Sequence, residues 1–196
     1  MSDGRKDRID KLKEQPVTYE AYASMPDDGQ RYEVVDGRLE LLSPGPSPQH
    51  QSISGRLELR LNESCSGEYV IFHAPLDLIL SETDIRQPDI LMIHRSRLSI
   101  VTSRGIEGPP DLVAEILSRG SRKRDRMDKP VTYAKYGIPE YWIVDGEAKT
   151  LEQYKLSGDR YELADLFEED DVVDSAALPC VSFVLHELFA DLHLFN

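Results

Sequence analysis

Apolar positions along this chain of 196 residues follow two periods, one suited to strands and one to helices. Thr18 is placed to cap a short helix through Ser24, which Pro26 closes. Tyr32-Glu33-Val34-Val35 and Arg38-Leu39-Glu40-Leu41-Leu42 flank Asp36-Gly37, a pair that predicts a tight hairpin. Ser47-Pro48 reads as a cap and first helical position, and Ile53, Leu57 and Leu61 then recur every fourth residue as far as Gly67. Extended, apolar stretches cover residues 69–74, 76–80, 88–93 and 111–117. A helical pattern over 128–136 ends at Gly137, and Pro130 must lie in its first turn, which sets the start near Arg126 or Asp128. Strands at 141–144 and 150–154 surround Asp145-Gly146, and 161–163 returns as a hairpin around Ser157-Gly158-Asp159. Residues 181–194 mix strand and helix signals. The pattern predicts an α/β fold with a mixed central β-sheet flanked by helices, as one domain over 15–196 after a flexible, charged segment 1–14.

Forty per cent apolar and thirty per cent charged residues describe an ordinary globular chain. No apolar run reaches the roughly 20 residues that cross a bilayer, and the charged start predicts no secretory signal. Cys65 and Cys180 can form at most one bridge, so a reducing cytoplasm is the expected address. A net charge of −13 disfavours general affinity for nucleic acid. Its distribution permits a local footprint: Arg119, Arg122, Lys123, Arg124 and Arg126 crowd what reads as one loop, far from the acidic run 168–171.

The chemistry is concentrated where apolar strands are interrupted by acids. Glu115 stands inside Asp111-Leu112-Val113-Ala114-Glu115-Ile116-Leu117, and Asp89 leads Ile90-Leu91-Met92-Ile93. A carboxylate in a buried strand is costly without a cationic partner, so the pattern marks a site. Alternation puts Asp89 with Leu91 and Ile93, and Glu115 with Val113 and Leu117. On neighbouring strands the two acids would stand close enough to share a divalent ion. Lys129 shares a helical face with Tyr133 and Tyr136 and is the candidate to position water or offset charge on a phosphate. The basic cluster follows the Glu115 strand and would hold phosphate at the mouth of the site. His50 and Glu33 are accessory candidates. The bland readings are a turn device for Asp89, a structural ion pair for Glu115, a solvated face for Lys129 and a solubilising loop for the arginines. Trp142 and tyrosines 133, 136 and 141 read as core. Neither cysteine has a readable histidine partner, and the sequence contains no glycine-rich phosphate loop.

In order and spacing, these residues resemble the Uma-two family of restriction-endonuclease-like proteins, part of the PD-(D/E)XK nuclease superfamily. The marks are Tyr32-Glu33-Val34-Val35-Asp36-Gly37, His50, Gln87-Pro88-Asp89-Ile90, the strand around Glu115 through Ser118, and Lys129 through Tyr133 to Gly137-Ile138-Pro139-Glu140-Tyr141-Trp142-Ile143-Val144-Asp145. The resemblance implies a metal held by Asp89 and Glu115. The superfamily lysine usually lies two residues after the acid, where this chain has Leu117, and Lys129 matches the family's lysine on the following helix. Arg119 and Gly120 replace a usual Pro-Ser pair, and Pro130 sits beside the lysine. The implied function is a Mg²⁺- or Mn²⁺-dependent DNA endonuclease acting as a homodimer. The alternatives are a binding module on a degenerate nuclease scaffold and a hydrolase of smaller phosphodiesters.

Overall fold

A computed structural model describes residues 16–42, 45–118 and 120–195; the predicted flexible segment and Arg119 lie outside the described residues. Local signals set the first elements. Thr18 Oγ1 accepts from Ala21 N and caps helix α1, Tyr19–Ala23. Strands β1 (Tyr32–Val35) and β2 (Arg38–Leu41) close over Asp36 and Gly37, whose φ angles of 45° and 73° are those of a mirror-image turn. Ser47 caps α2, Pro48–Cys65, which buries Ile53, Leu57, Leu61 and Cys65 along one stripe.

Two sheets form the body. The larger has the order β11-β10-β9-β8-β6-β3 and joins β3 (Tyr69–His73), β6 (Ile90–His94), β8 (Leu112–Ile116), β9 (Glu140–Asp145), β10 (Thr150–Ser157) and β11 (Arg160–Glu168). All its pairings are antiparallel except β8 with β9. A parallel pair needs a crossover, and α3, Lys129–Lys135, lies in that connection. Gly137, at φ 75°, ends α3 with hydrogen bonds from Ile138 N to Tyr133 O and from Gly137 N to Ala134 O. The smaller sheet has the order β2-β1-β5-β4-β7, with β4 (Leu78–Ser81), β5 (Asp84–Arg86) and β7 (Ile106–Glu107). Residues 69–73 and 78–81, predicted as successive strands, therefore serve different sheets. The mixed segment at the C-terminus resolves into β13 (Ser182–Val184), paired with β12 (Val172–Asp174), and two 3₁₀ turns.

Each face of the larger sheet is covered. On one side, α2 and the C-terminal turns bury Met92, Ala114, Trp142 and Leu188. On the other, α3 and the smaller sheet enclose Leu91, Val113, Tyr133 and Ile143. All six residues of β9 are buried, as expected of a strand covered on both faces. Trp142 donates its indole N–H to Glu140 (2.6 Å), which also accepts from Ser175 Oγ (2.7 Å), so that buried carboxylate anchors the C-terminal segment. Among the described residues, no helix is long and apolar enough to cross a membrane.

Cys65, at the end of α2, is joined to Cys180 by a disulfide spanning 115 residues of sequence. The two cysteines could form at most one bridge, and this is it. The bridge ties the C-terminal segment to α2, and by the chain-entropy relation it contributes about 5 kcal/mol. Untreated protein should give no free thiol by Ellman titration in denaturant, and reduction should release two and lower the melting temperature.

Asp84 is buried in β5 and receives Tyr136 OH (2.6 Å), Lys135 Nζ (3.2 Å) and Asp36 N (3.0 Å). Burial raises its pKa, but these three partners together hold it below the ordinary 3.8. The stabilisation is therefore present above pH 3.8 and lost as pH falls through the depressed value. Thermal melts of Asp84→Asn should lie below the parent at pH 7, with the gap narrowing toward pH 2.5.

Candidate active site

The register of β6 against β8 pairs Ile90 with Ala114, Leu91 with Val113 and Met92 with Leu112. Asp89 lies one residue before β6 and Glu115 one residue past the last of these pairs in β8, and both line one cleft. Asp89 Oδ2 accepts Ile116 N at 2.8 Å and meets His50 Nε2 at 3.1 Å. The first turn of α2 delivers His50, because the Ser47 cap takes the His50 N–H (3.2 Å) and fixes the helix start there. Burial disfavours the imidazolium, yet the hydrogen bond and charge of Asp89 outweigh it, so the His50 pKa lies above 6.5. Burial likewise opposes ionisation of Asp89, and His50, Lys129 and Ile116 N together hold its pKa low.

Glu115 is buried, and its Oε1 accepts Tyr133 OH at 2.8 Å and faces Lys129 Nζ at 2.7 Å. Burial pushes its pKa well up; Lys129 offsets part of this, while the charges of Asp125 and Asp89 add to it. Lys129 itself is buried, with a side chain 5% exposed, so the solvated-face reading does not hold. Burial favours the neutral amine, but Glu115, Glu33, Asp125 and Asp89 outweigh it and hold the ammonium charged. Tyr133, read from sequence as core alone, is both core and hydrogen-bond donor to the site.

Glu33 arrives from the smaller sheet. Its Oε1 accepts Gln87 N at 2.8 Å and stands 4.0 Å from Lys129 Nζ, and its Oε2 stands 3.5 Å from Arg86 Nη1. Arg86, absent from the sequence reading, is buried and donates to Thr132 Oγ1 on α3 (2.6 Å).

Asp125 is the other residue that the sequence reading missed. It is buried, and its Oδ1 lies 3.2 Å from Lys129 Nζ. Its position within the basic cluster disguised it, although the spacing of four to Lys129 is the signal that would find it.

The basic cluster is helical where a loop was expected. Ser118 N bonds to Ser121 Oγ (3.1 Å) and Ser121 N to Ser118 Oγ (3.2 Å), a reciprocal cap that starts a turn at Arg122. Residues Arg124–Asp128 then form a π turn, closed by Lys129 N to Arg124 O, before α3 begins. Two of the arginines are occupied elsewhere. Arg122 pairs with Asp145 (2.8 Å) and Glu147 (3.1 Å), and Arg126 grips Glu152 through both terminal nitrogens (2.8 and 2.7 Å). Lys123 is exposed. Of the four described, only Arg124 lines the cleft, and its buried Nε makes no hydrogen bond.

That cleft, about 300 Å³, is lined by His50, Asp89, Glu115, Asp125, Arg124 and Lys129, together with Gln87 and residues of the α2 start. Among the described residues, no three His, Cys, Asp or Glu side chains form a ready metal cage. The donors suit Mg²⁺ nonetheless: this ion takes one or two carboxylates and completes its shell with water and phosphate oxygens. Asp89, Glu115 and Asp125 line the cleft with Lys129 as the one lysine among them, which leaves negative charge there for a cation to meet.

No curated protein matches the chain. A crystal structure of a putative nuclease belonging to DUF820 from Anabaena variabilis ATCC 29413 is similar, with a TM-score of 0.72 and 20% identity, over 89% of this chain and 98% of that one. At that identity the likeness shows the fold, a mixed α/β architecture. The family model named Uma2, described as putative restriction endonuclease, matches residues 19–186, and the chain belongs to that family.

Proposed function

We propose that the chain is a Mg²⁺-dependent DNA endonuclease whose domain spans residues 15–196, with Asp89, Glu115 and Lys129 as its catalytic residues. The observation that carries the reading is that Asp89, bonded to Ile116 N, and Glu115, beside a buried, charged lysine, line one cleft. Asp89 and Glu115 would hold Mg²⁺ or Mn²⁺, which when bound supplies a Lewis acid toward the phosphate and a more acidic water. His50 and the Ile116 N–H both engage Asp89 Oδ2 and so orient that carboxylate. Tyr133 fixes Glu115 in the same way.

Lys129, held protonated by its acidic neighbours, is a donor and not a base. Its ammonium serves to stabilise charge on the phosphate as the water oxygen bonds to phosphorus and the leaving oxygen departs. Arg124 is the phosphate contact favoured by its place in the cleft. Docking is local, as befits a chain of net charge −13. A degenerate binding module is the second reading, motivated by the net charge of −13 and by a lysine displaced from the usual position, which Leu117 occupies.

Plasmid DNA should be cut with Mg²⁺ and left intact with EDTA. Asp89→Asn and Glu115→Gln should each lower the rate by at least about 100-fold while melting cooperatively. Undiminished cutting by either variant would overturn the assignment, and an inert parent that binds DNA would favour the module. Light scattering at working concentration should give the mass of a homodimer; a mass near 22.3 kDa would refute that part.

A further inference from the structure

We infer that Lys129 and a divalent cation compete for Glu115, and that Asp125 keeps the lysine's ammonium when the cation binds. This inference rests on the metal-site reading above and adds a role for a residue outside it. Lys129 Nζ lies 2.7 Å from Glu115 Oε1, against a carboxylate assigned to the metal. A divalent ion binds such oxygens at about 2.1 Å. An ammonium at hydrogen-bond distance from that same oxygen would be repelled by the ion and would compete with it for the oxygen's lone pairs.

The ammonium therefore has to move, and buried charge moves only to a waiting partner. Two carboxylates stand within reach. Asp125 Oδ1 is 3.2 Å away and Glu33 Oε1 is 4.0 Å away. They differ in prior commitments. Glu33 Oε1 already accepts the Gln87 N–H, and its other oxygen stands near Arg86. Asp125 is 1% exposed, and its Oδ1 has the Lys129 ammonium as its charged partner among the described residues. Its backbone is fixed, since Asp125 O accepts Tyr141 OH at 2.7 Å and Asp125 N bonds to Ser121 O at 2.9 Å. Asp125 is thus a held acceptor already in contact with the lysine, able to keep the ammonium when the ion takes Glu115, and no ligand of the ion.

The test is calorimetric titration with Mn²⁺, without DNA, of the parent, Lys129→Met, Asp125→Asn and the double variant. Lys129→Met should bind Mn²⁺ about tenfold more tightly than the parent, because its competitor is gone. Asp125→Asn alone should bind about tenfold more weakly. In the double variant the asparagine should have no further effect, since no ammonium remains to be kept. Lys129→Gln, which keeps a polar end, repeats the measurement should the methionine variant fail to melt cooperatively. Affinity unchanged by either lysine substitution overturns the inference, as does an Asp125→Asn loss that persists in full without the lysine, which would make Asp125 a metal ligand. Mn²⁺ binding that depends on Asp89 and Glu115 but ignores Lys129 sinks this inference alone. No Mn²⁺ binding by any of the proteins sinks the metal-site reading and this inference with it.

Discussion

Everything about this centre depends on one buried cation among several acids. Lys129 Nζ sits between Glu115 and Asp125, with Glu33 at 4.0 Å and the charge of Asp89 also bearing on it. A lone ammonium in such a place would lose its proton, and lone carboxylates would take one up. Placed together they restrain one another, and the acids keep a surplus. The surplus shows in Glu115, whose acidity is suppressed even with a lysine in contact. Structure and chemistry meet here, since the arrangement that makes the fold tolerable also makes the cleft receptive to positive charge.

The elements that carry these groups are assembled by different means. Glu115 is placed by strand register, which is stiff because a one-residue slip would turn its side chain to the opposite face, and Asp89 by its place just before β6 and its bond to Ile116 N. His50 is placed by a helix cap, and Lys129 by a helix that follows a π turn. Glu33 is placed by the packing of one sheet against another. The tyrosine and histidine hydrogen bonds then remove rotational freedom from the two strand acids.

How much of this was legible in the sequence follows from the range of the forces. The hairpin at Asp36-Gly37, the Ser47-Pro48 cap and the Gly137 stop obey local rules and read directly. Asp89 and Glu115 read as anomalies, because charge inside an apolar strand is conspicuous wherever the strand lies. Residues whose meaning comes from distant partners did not read. Arg86 has no local signature, since the short strand β5 acquires its burial only between β1 and β4. Asp125 was masked by four basic neighbours, and Arg122 and Arg126 seemed free for phosphate because Asp145, Glu147 and Glu152 lie up to 26 residues away. The pairing of Cys65 with Cys180 is equally non-local. Lys129 read from the helical face it shares with Tyr133 and Tyr136, although the usual superfamily spacing points to Leu117.

The smaller sheet's contribution of Glu33 has a further consequence. The charged centre draws on the first hairpin, on two strands of the larger sheet and on the helical crossover, a span from residue 33 to residue 129. No contiguous fragment shorter than that span can carry it, and excising the N-terminal hairpin would leave Lys129 and Arg86 short of an anion in a dry interior. The centre is therefore inherited or lost as a unit, and a truncated relative lacking the hairpin would have to rebuild its charge balance from other residues.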